Sequence, residues 1–402
     1  MTQRSSTGDR DPIDTFAFQM PTRIVWGTPV IDAVPAEVAA LGVDRVLIVT
    51  DPGLATTGLP DAVRAALEHA GVAVAVHADV SGNPTTDDVA AARSIAESSR
   101  SGAIVAIGGG SAIDTAKASA MLLANGGEYA DYQWDGRPIT RRSHPFVAVP
   151  TTAGTGSEVT KVAVISDASQ PFKKGVLSPL MFAHVAILDP EVTIALPPHL
   201  TAATGIDALV HAFEAYTGRR TNPISDLLAL ESLRLAIAGL GPATADGSDL
   251  DARGNMMLAA LYGGMAMDQS GLGLVHALSG GICSHLHLHH GLANAMILPY
   301  ALEFNVSAIR PERLRRLADV LGLPVDAGGE HVVDMLTELV RSLDLPIGLG
   351  TTVDADTDVD WDDVAAESMR MVMVHNNPRT VTVEDCRAIL EAMLSSAVGG
   401  RE

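Results

Sequence analysis

The sequence is poor in aromatic residues, in cysteine and in positive charge, and each shortage excludes a class of protein. Aromatic side chains make up 4% of the 402 residues, so any core must be mainly aliphatic. Two cysteines, Cys283 and Cys386, are too few for a disulfide framework and fit a reducing cytoplasm. The 27 basic and 48 acidic residues give a net charge of −21, and no cluster of Lys and Arg offers a surface for nucleic acid.

Long apolar runs are also absent from the sequence. No stretch of about 18 apolar residues predicts a membrane span, and residues 1–12 lack the apolar centre of a secretory signal peptide. We therefore expect neither a membrane nor a nucleic-acid partner, and we interpret residues 1–15 as a flexible tail. The hydrophobic share of 47% supports a large core. Since a single core rarely exceeds about 300 residues, we expect two domains.

The order of apolar and amphipathic segments divides the chain near residues 196–198. Predicted strands at 45–50, 72–76, 103–107 and 146–149 alternate with predicted helices at 58–70, 87–98 and 111–124. Strands that are apolar throughout and separated by helices are typical of a parallel sheet covered on both faces. Only helical patterns follow, at 201–217, 222–240, 252–267, 292–304 and 311–321. We expect an α/β domain over residues 16–197 and an all-helical domain over residues 198–402.

Glycines mark the turn from the predicted strand at 103–107 into the next helix. Gly109, Gly110 and Ser111 would let a phosphate approach the backbone and the free N–H groups at the start of the helix. The turn also fits an ordinary helix cap. In the common dinucleotide-binding fingerprint an acid follows the glycines by about 20 residues, whereas here Asp51, at the end of the first strand, precedes them. Asp51 is therefore either a ribose-binding residue in a different arrangement or a turn residue before Pro52.

A second loop follows the predicted strand at 146–149 and is rich in hydroxyl groups. Thr151, Thr152 and Thr155 can bind a phosphate or a nicotinamide, or they can cap their own turn. Lys174 either reaches a phosphate or is an ordinary surface lysine. Lys161, if it faces a cleft between the domains, would favour an anionic substrate.

Two groups of residues in the helical half have side chains that bind metals. Asp207 and His211 are four residues apart and share one face of a helix, although such a pair is more often simply solvated. Residues 276–291 are glycine-rich and apolar, and we interpret them as a histidine-rich loop. The histidines of this segment are His276, His285, His287, His289 and His290. One carboxylate with two or three imidazoles suits Fe²⁺ or Zn²⁺, but the spacing does not select which histidines bind.

Taken together, these segments resemble the iron-containing (group III) alcohol dehydrogenases over residues 18–395. The shared motifs, in the family's order, are Asn-Pro-Thr at 83–85, Gly-Gly-Gly-Ser at 108–111 with Asp114 and Lys117, and the segments 150–160, 204–216, 276–278, 290–295 and 377–379. The resemblance implies an N-terminal dinucleotide-binding α/β domain and a C-terminal all-α metal-binding domain, the plan shared with dehydroquinate synthase. It also implies that the active site lies in the cleft between the two domains.

The resemblance assigns roles to individual residues. It implies that Asp207, His211, His276 and His290 bind the metal and form the catalytic centre, so the other histidines become secondary. The cofactor-binding residues that it implies are Gly109, Gly110, Ser111, Thr151, Thr152 and Lys174, and from the shared motifs we add Asn83, Asp114 and Thr155. Asp51 matches a position at which an acid accompanies NAD, because a carboxylate repels the 2′-phosphate of NADP. We therefore expect NAD rather than NADP, Fe²⁺ with Zn²⁺ as the alternative, and a homodimer.

The implied activity is hydride transfer between the nicotinamide and a small alcohol or aldehyde, with the metal as Lewis acid. One position departs from the family, because many members carry a histidine four residues after the one matched by His276, whereas this chain has Gly280. We expect a larger pocket there, or a neighbouring histidine in its place. Two alternatives stay open. One is a dehydroquinate synthase-like lyase that uses NAD transiently and needs a basic phosphate pocket, and the other is a metal- or nucleotide-binding structural subunit.

Overall fold

The computed structural model describes residues 15–170, 174–286, 288–350, 352–353 and 359–396. The tail predicted for residues 1–15 therefore lies almost wholly outside the described residues, and so does His287. Among the described residues, no helix is both long enough and apolar enough to cross a membrane.

A six-stranded sheet forms the centre of the N-terminal half. The strands of the chain are β1 (Arg23–Trp26), β2 (Arg45–Val49), β3 (Ala73–His77), β4 (Ala103–Gly108), β5 (Phe146–Pro150), β6 (Val162–Ile165), β7 (Lys174–Leu177) and β8 (Val185–Leu188). The sheet has the order β1-β8-β5-β4-β2-β3, and every neighbouring pair in it is parallel. β6 and β7 form a separate antiparallel pair. The predicted parallel sheet is confirmed, and β1, β6, β7 and β8 add to the predicted strands.

Helices cover both faces of this sheet. They are α1 (Val34–Ala40), α2 (Pro52–Ala55), α3 (Leu59–His69), α4 (Thr86–Ser99), α5 (Gly110–Asn125) and α6 (Tyr129–Gln133). On one face, Val38 of α1 and Leu67 of α3 share an apolar cluster with Ile48. On the other face, Ile113 of α5 shares a cluster with Leu47, the strand neighbour of Ile48. Because successive strand residues point to opposite faces, a strand buried on both sides is apolar throughout.

Helices alone build the described part of the C-terminal half. They are α7 (Pro198–Thr217), α8 (Pro223–Ala245), α9 (Leu250–Ser270), α10 (Leu274–Leu286), α11 (His290–Asn305), α12 (Pro311–Val320), α13 (Gly329–Ser342), α14 (Trp361–Arg370) and α15 (Val383–Ser395). Their apolar side chains form one aliphatic core. Gly291 lets α11 approach α7 closely, since a Cβ at position 291 would lie 2.3 Å from the carbonyl oxygen of Ala203. This contact sets the first turn of α11 against α7.

One prediction for this half is wrong. Residues 276–291 are mostly not a loop, because α10 extends to Leu286 and α11 begins at His290. Gly280 and Gly281 have low helix propensity, but their missing side chains allow other segments to pack against α10. A Cβ at Gly281 would lie 2.6 Å from Oγ of Ser368 in α14. Tertiary packing thus stabilises a helix that local propensity disfavours.

Candidate active site

Asp51, the glycine turn and the hydroxyl-rich loop follow the carboxyl ends of β2, β4 and β5, where ligands of open α/β sheets bind. The N–H of Thr151, directly after β5, donates to the carbonyl oxygen of Gly108, the last residue of β4, at 3.0 Å. Gly108 has a φ of +155°, and a Cβ there would lie 2.7 Å from the Cβ of Ala112, so this turn requires glycine. The side chain of Thr152 lies 3.3 Å from the Cβ position of Gly109.

Asp51 caps a helix and also lies beside this turn. Its Oδ1 accepts a hydrogen bond from the N–H of Leu54 at 2.9 Å, at the start of α2. Its Oδ2 lies 3.4 Å from the Cβ position of Gly108. The two interpretations of Asp51 are therefore compatible, because one carboxylate oxygen serves the cap while the other faces the glycine turn.

Three further candidates surround the start of α5. The side chain of Thr155 lies 2.7 Å from the Cβ position of Gly110, so the hydroxyl-rich loop packs directly on the first turn of the helix. Oγ of Ser111 donates to the carbonyl oxygen of the residue before Asn83, at 2.7 Å. The start of α5 is thus held between the loop after β5 and the loop that precedes α4.

A buried network connects α5 to the hydroxyl-rich loop. The ammonium group of Lys117 is fully buried and donates to the carbonyl oxygen and Oγ of Ser157, at 2.8 and 3.0 Å, and to the carbonyl oxygen of Val162 at 2.6 Å. Asp114 accepts from Oγ of Ser157 and from the N–H of Val164. Burial lowers the pKa of Lys117 and raises that of Asp114, and the opposite charge of each partner counteracts both shifts. The side chain of Asp114 is therefore engaged within the protein.

The two lysines singled out from the sequence lie in different surroundings. Lys174 begins β7, and its ammonium group lies 5.5 Å from the ring centre of Trp134. Lys161 donates to the carbonyl oxygen and Oδ2 of Asp268 on α9, at 2.6 and 3.0 Å. Because Lys161 already forms this ion pair, the charge of Lys161 gives no reason to expect an anionic substrate.

Four side chains from three helices converge in the C-terminal half. Oδ1 of Asp207 on α7 lies 3.4 Å from Nε2 of His211, 3.5 Å from Nε2 of His276 on α10 and 3.7 Å from Nε2 of His290 on α11. Ligand atoms of Asp207, His276 and His290 all lie within 4.8 Å of one another. Tetrahedral ligands about 2.1 Å from a metal are about 3.4 Å from each other. The donor atoms and their spacing therefore fit a divalent metal.

The protonation of this cluster follows from its burial. Although burial favours a neutral carboxyl, the surrounding imidazoles hold the pKa of Asp207 far below its usual value. Burial also lowers the pKa of His211 to about 4. Burial opposes a charge on His276 as well, but hydrogen bonds to Asp207 and Glu214 outweigh it and raise the pKa of His276 to about 9. The carboxylate of Asp207 and the neutral imidazole of His211 are thus in the forms that bind metals, whereas His276 has to give up a proton when it binds one.

Two supporting residues of the cluster were not assigned a role from the sequence. Oε2 of Glu214 accepts from Nδ1 of His276 at 2.7 Å, and the same carboxylate accepts from two backbone N–H groups at the start of α10. The buried amide of Asn294 donates to Oδ1 of Asp207 at 2.7 Å. The spacing in the sequence could have indicated both residues. Glu214 follows His211 by three residues on α7, and Asn294 follows His290 by four residues on α11, so each shares a helix face with a proposed metal ligand.

Two other histidines of the segment, His285 and His289, are not part of the metal-ligand group found among the described residues. Nε2 of His285 pairs with Oε2 of Glu367 on α14, at 2.9 Å. His289 is exposed. At Gly280, where a neighbouring histidine or a larger pocket was expected, the Cβ position lies 2.7 Å from Cε of Met371. The side chain of Met371 thus fills the space that Gly280 leaves, so the larger pocket expected there is not found.

Glycines bring the cofactor-binding loop and the metal cluster together. A Cβ at Gly154 would lie 2.8 Å from the Cβ of Thr204, one turn before Asp207 on α7. Gly156 has a φ of +60°, and its Cβ position lies 2.6 Å from the Cα of Gly264 on α9. The hydroxyl-rich loop therefore packs directly against the helices that carry and support the cluster, which sets the two parts of the site side by side.

Comparison with known proteins identifies the family. The model for "Iron-containing alcohol dehydrogenase" matches residues 21–190, and the model for "Fe-containing alcohol dehydrogenase family, C-terminal" matches residues 201–394. The chain belongs to the iron-containing alcohol dehydrogenase family. It is thus an oxidoreductase, and the predicted family, fold class and reaction class are confirmed, which favours the dehydrogenase over the lyase alternative.

Similar proteins act on different alcohols. The choline dehydrogenase of Bacillus subtilis is 36% identical, over 90% of this chain and 91% of that protein. The NAD-dependent methanol dehydrogenase of Bacillus methanolicus is 34% identical, over 94% of this chain and 99% of that protein. A crystal structure of 1,3-propanediol oxidoreductase has a TM-score of 0.88 at 32% identity and covers 94% of this chain and 100% of its own. The family therefore fixes the reaction class, and the substrate has to be sought in this chain's own pocket.

Proposed function

We propose that this protein is an NAD-dependent, Fe²⁺-containing dehydrogenase that interconverts a small alcohol and its aldehyde or ketone. The observation that carries the proposal is the convergence of Asp207, His211, His276 and His290 with nearly equal spacings, beside a glycine turn suited to a dinucleotide. A carboxylate and three imidazoles would hold the metal. When bound, it supplies a Lewis acid that lowers the pKa of an alcohol and polarises a carbonyl.

The chain's own residues divide the remaining work. The N–H groups at the start of α5, with Gly109, Gly110 and Ser111, bind the pyrophosphate of the cofactor. Thr151 and Thr152 orient the nicotinamide end, while Asn83, Thr155 and Lys174 complete the cofactor contacts. Asp114 supports the site through the loop rather than by touching the cofactor, because Ser157 and Val164 engage its carboxylate.

The preference for NAD rests on Asp51. Its Oδ2 faces the glycine turn at the carboxyl end of β2, and a carboxylate in that place hydrogen-bonds a ribose hydroxyl but repels a 2′-phosphate. For the substrate, we propose an alcohol without a negative charge, because Asp268 neutralises Lys161.

The test begins with removal of metal by a chelator. Fe²⁺ and Zn²⁺ are then added back to separate samples. In each sample, the oxidation of NADH and of NADPH is measured with matched neutral and anionic aldehydes. We expect Fe²⁺ to restore most activity, with NADH and with the neutral aldehydes. Asp207→Ala and His276→Ala should lose bound metal and activity, while His289→Ala, whose side chain is exposed, should keep both. Full turnover in metal-free Asp207→Ala would overturn the proposal.

We further infer a homodimer that works in the cytoplasm. The resemblance to the family supports the dimer, and the low number of cysteines, two in 402 residues, fits a reducing compartment. Light scattering on the protein as it elutes from a size-exclusion column measures its mass directly. A value near 42 kDa, the mass of one chain, would reject the dimer.

A further inference from the structure

The four proposed metal ligands differ in how firmly the protein holds them. Side chains of Asp207, His211 and His276 are 4–5% exposed, whereas that of His290 is 47% exposed. His290 is also the first residue of α11, so no preceding helical turn supports it. In most metal sites a hydrogen bond at the other ring nitrogen keeps a metal-binding imidazole in its orientation and its tautomer. Nδ1 of His211 is buried without a well-aligned bond of this kind, so close packing holds that ring instead. The partner of His290 therefore matters more than that of the buried ligands.

The partner is a serine on the neighbouring helix. Oγ of Ser279 lies 3.1 Å from Nδ1 of His290, and Ser279 is fully buried. Ser279 follows His276 by three residues on α10. The same helix therefore supplies one metal ligand, His276, and the hydrogen-bond partner of another ligand, His290 on α11. Among the described residues, no other hydrogen bond to Nδ1 of His290 is found.

We propose that Ser279 is a positioning residue that turns Nε2 of His290 towards Asp207 and the metal. This inference rests on the proposed function. When Nε2 faces the metal, the ring proton lies on Nδ1, and Oγ of Ser279 accepts it. The hydroxyl hydrogen of Ser279 is then available to Sγ of Cys283, 3.8 Å away. Ser279 thereby supports the tautomer of His290 that leaves Nε2 available as a ligand.

The support of His290 is weaker than that of His276. The ionised carboxylate of Glu214 holds Nδ1 of His276 at 2.7 Å and is itself fixed by two backbone N–H groups. A neutral hydroxyl forms a weaker bond than a charged acceptor. His290 therefore combines a weaker hydrogen bond with a greater exposure than His276.

The test compares Ser279→Ala with Ser284→Ala. Ser284 lies on the same helix, but its hydroxyl bonds to the carbonyl oxygen of Gly280, at 2.8 Å. The dissociation constant for Zn²⁺ is measured by competition with a chromogenic chelator, and the release rate by excess chelator. We expect Ser279→Ala to bind Zn²⁺ about 10- to 100-fold more weakly and to release it correspondingly faster. Ser284→Ala should stay within about twofold of the wild type.

Two further measurements separate positioning from folding. Thermal unfolding of the metal-free proteins should give nearly equal midpoints for wild type and Ser279→Ala. The visible absorption of the Co²⁺ forms, which reports ligand number and geometry, should change in Ser279→Ala and not in Ser284→Ala. Equal affinity, release rate and Co²⁺ spectrum in wild type and Ser279→Ala would overturn this inference alone. A wild-type protein that binds no metal would overturn the proposed function as well.

Discussion

Cε of Met371 lies 2.7 Å from the point where a Cβ on Gly280 would sit, whereas a Cβ on the next residue, Gly281, would meet backbone. At Gly281 the carbonyl oxygen of Val364 lies 2.9 Å from that point. A methionine tip can move aside, but a carbonyl oxygen moves only with α14. We therefore expect Gly280→Ala to change the free energy of unfolding by less than about 1 kcal/mol. Gly281→Ala should destabilise by about 1–3 kcal/mol.

Urea unfolding of the two alanine variants measures this difference. Both substitutions add the same methyl group to the same helix, so the gain in helix propensity cancels between them. Equal losses of stability at both positions would contradict the packing described for α10 and α14.

A larger side chain at position 280 should depend on Met371. Gly280→His adds an imidazole to a place that Met371 already fills, and we expect it to destabilise the protein by about 1–3 kcal/mol. Met371→Ala empties that place, so the double variant should lose less than the sum of the two single variants. A double-mutant cycle in urea measures the coupling, which should reach at least about 0.5 kcal/mol. Additive losses would show that the two positions do not compete for space.

The selectivity for NAD should change when the charge of Asp51 is removed and its cap is kept. Asp51→Ser retains an oxygen that accepts from the N–H of Leu54. We expect the ratio of kcat/KM for NADPH over NADH to rise by about tenfold or more, because placing like charges together costs several kcal/mol. The melting temperature should be nearly unchanged. Asp51→Ala, which loses the cap as well, separates the two roles, and an unchanged cofactor ratio in both variants would remove Asp51 from the cofactor site.

Some of the site follows from local sequence, and some depends on contacts between distant segments. The spacing of Asp207 and His211 already places them on one helix face. His276 and His290 belong to two other helices, and only the packing of α10 and α11 against α7 brings them to Asp207. Spacing alone therefore leaves five histidines equivalent, and the resemblance to a family was needed to choose among them.

The same distinction explains the errors and omissions in the predicted fold. α10 contains two adjacent glycines, so local propensity suggests a loop, but those glycines are what permits α14 to approach. β8 has a clear signal, since all four of its residues are buried and apolar. β1 does not, because it begins with the charged Arg23 and both of its end residues are exposed. The pairing of Ser279 with His290 has no signature at all in the sequence, because it exists only where two helices meet.

The buried ammonium group of Lys117 should be essential for the loop that it holds. Lys117→Met removes the donor and leaves Asp114 and the oxygens of Ser157 and Val162 without it, so we expect a loss of about 3–5 kcal/mol. The KM for NAD should rise because the hydroxyl-rich loop loosens. Adding Asp114→Asn removes the uncompensated charge and should restore part of the stability. Urea unfolding and initial rates measure both effects, and a double variant as unstable as Lys117→Met would show that the charge of Asp114 is not the cause.

The carboxyl group of Glu158 should make stability depend on pH. Glu158 is 3% exposed, and burial raises its pKa to about 7, a shift that the charge of Lys117 partly opposes. A group whose pKa is raised on folding contributes stability below its unfolded pKa of about 4.5 and loses that contribution as the pH rises to about 7. The shift corresponds to about 3 kcal/mol at most. Between pH 5 and pH 8, the wild type should therefore lose stability relative to Glu158→Gln, which cannot ionise. Glu68→Gln, at an exposed position on α3, is the control and should follow the wild type at every pH. The opposite outcome is that the stability of Glu158→Gln changes with pH in parallel with that of the wild type. The carboxylate of Glu158 would then be as stable in the folded protein as in water, and its burial would have no effect on its pKa.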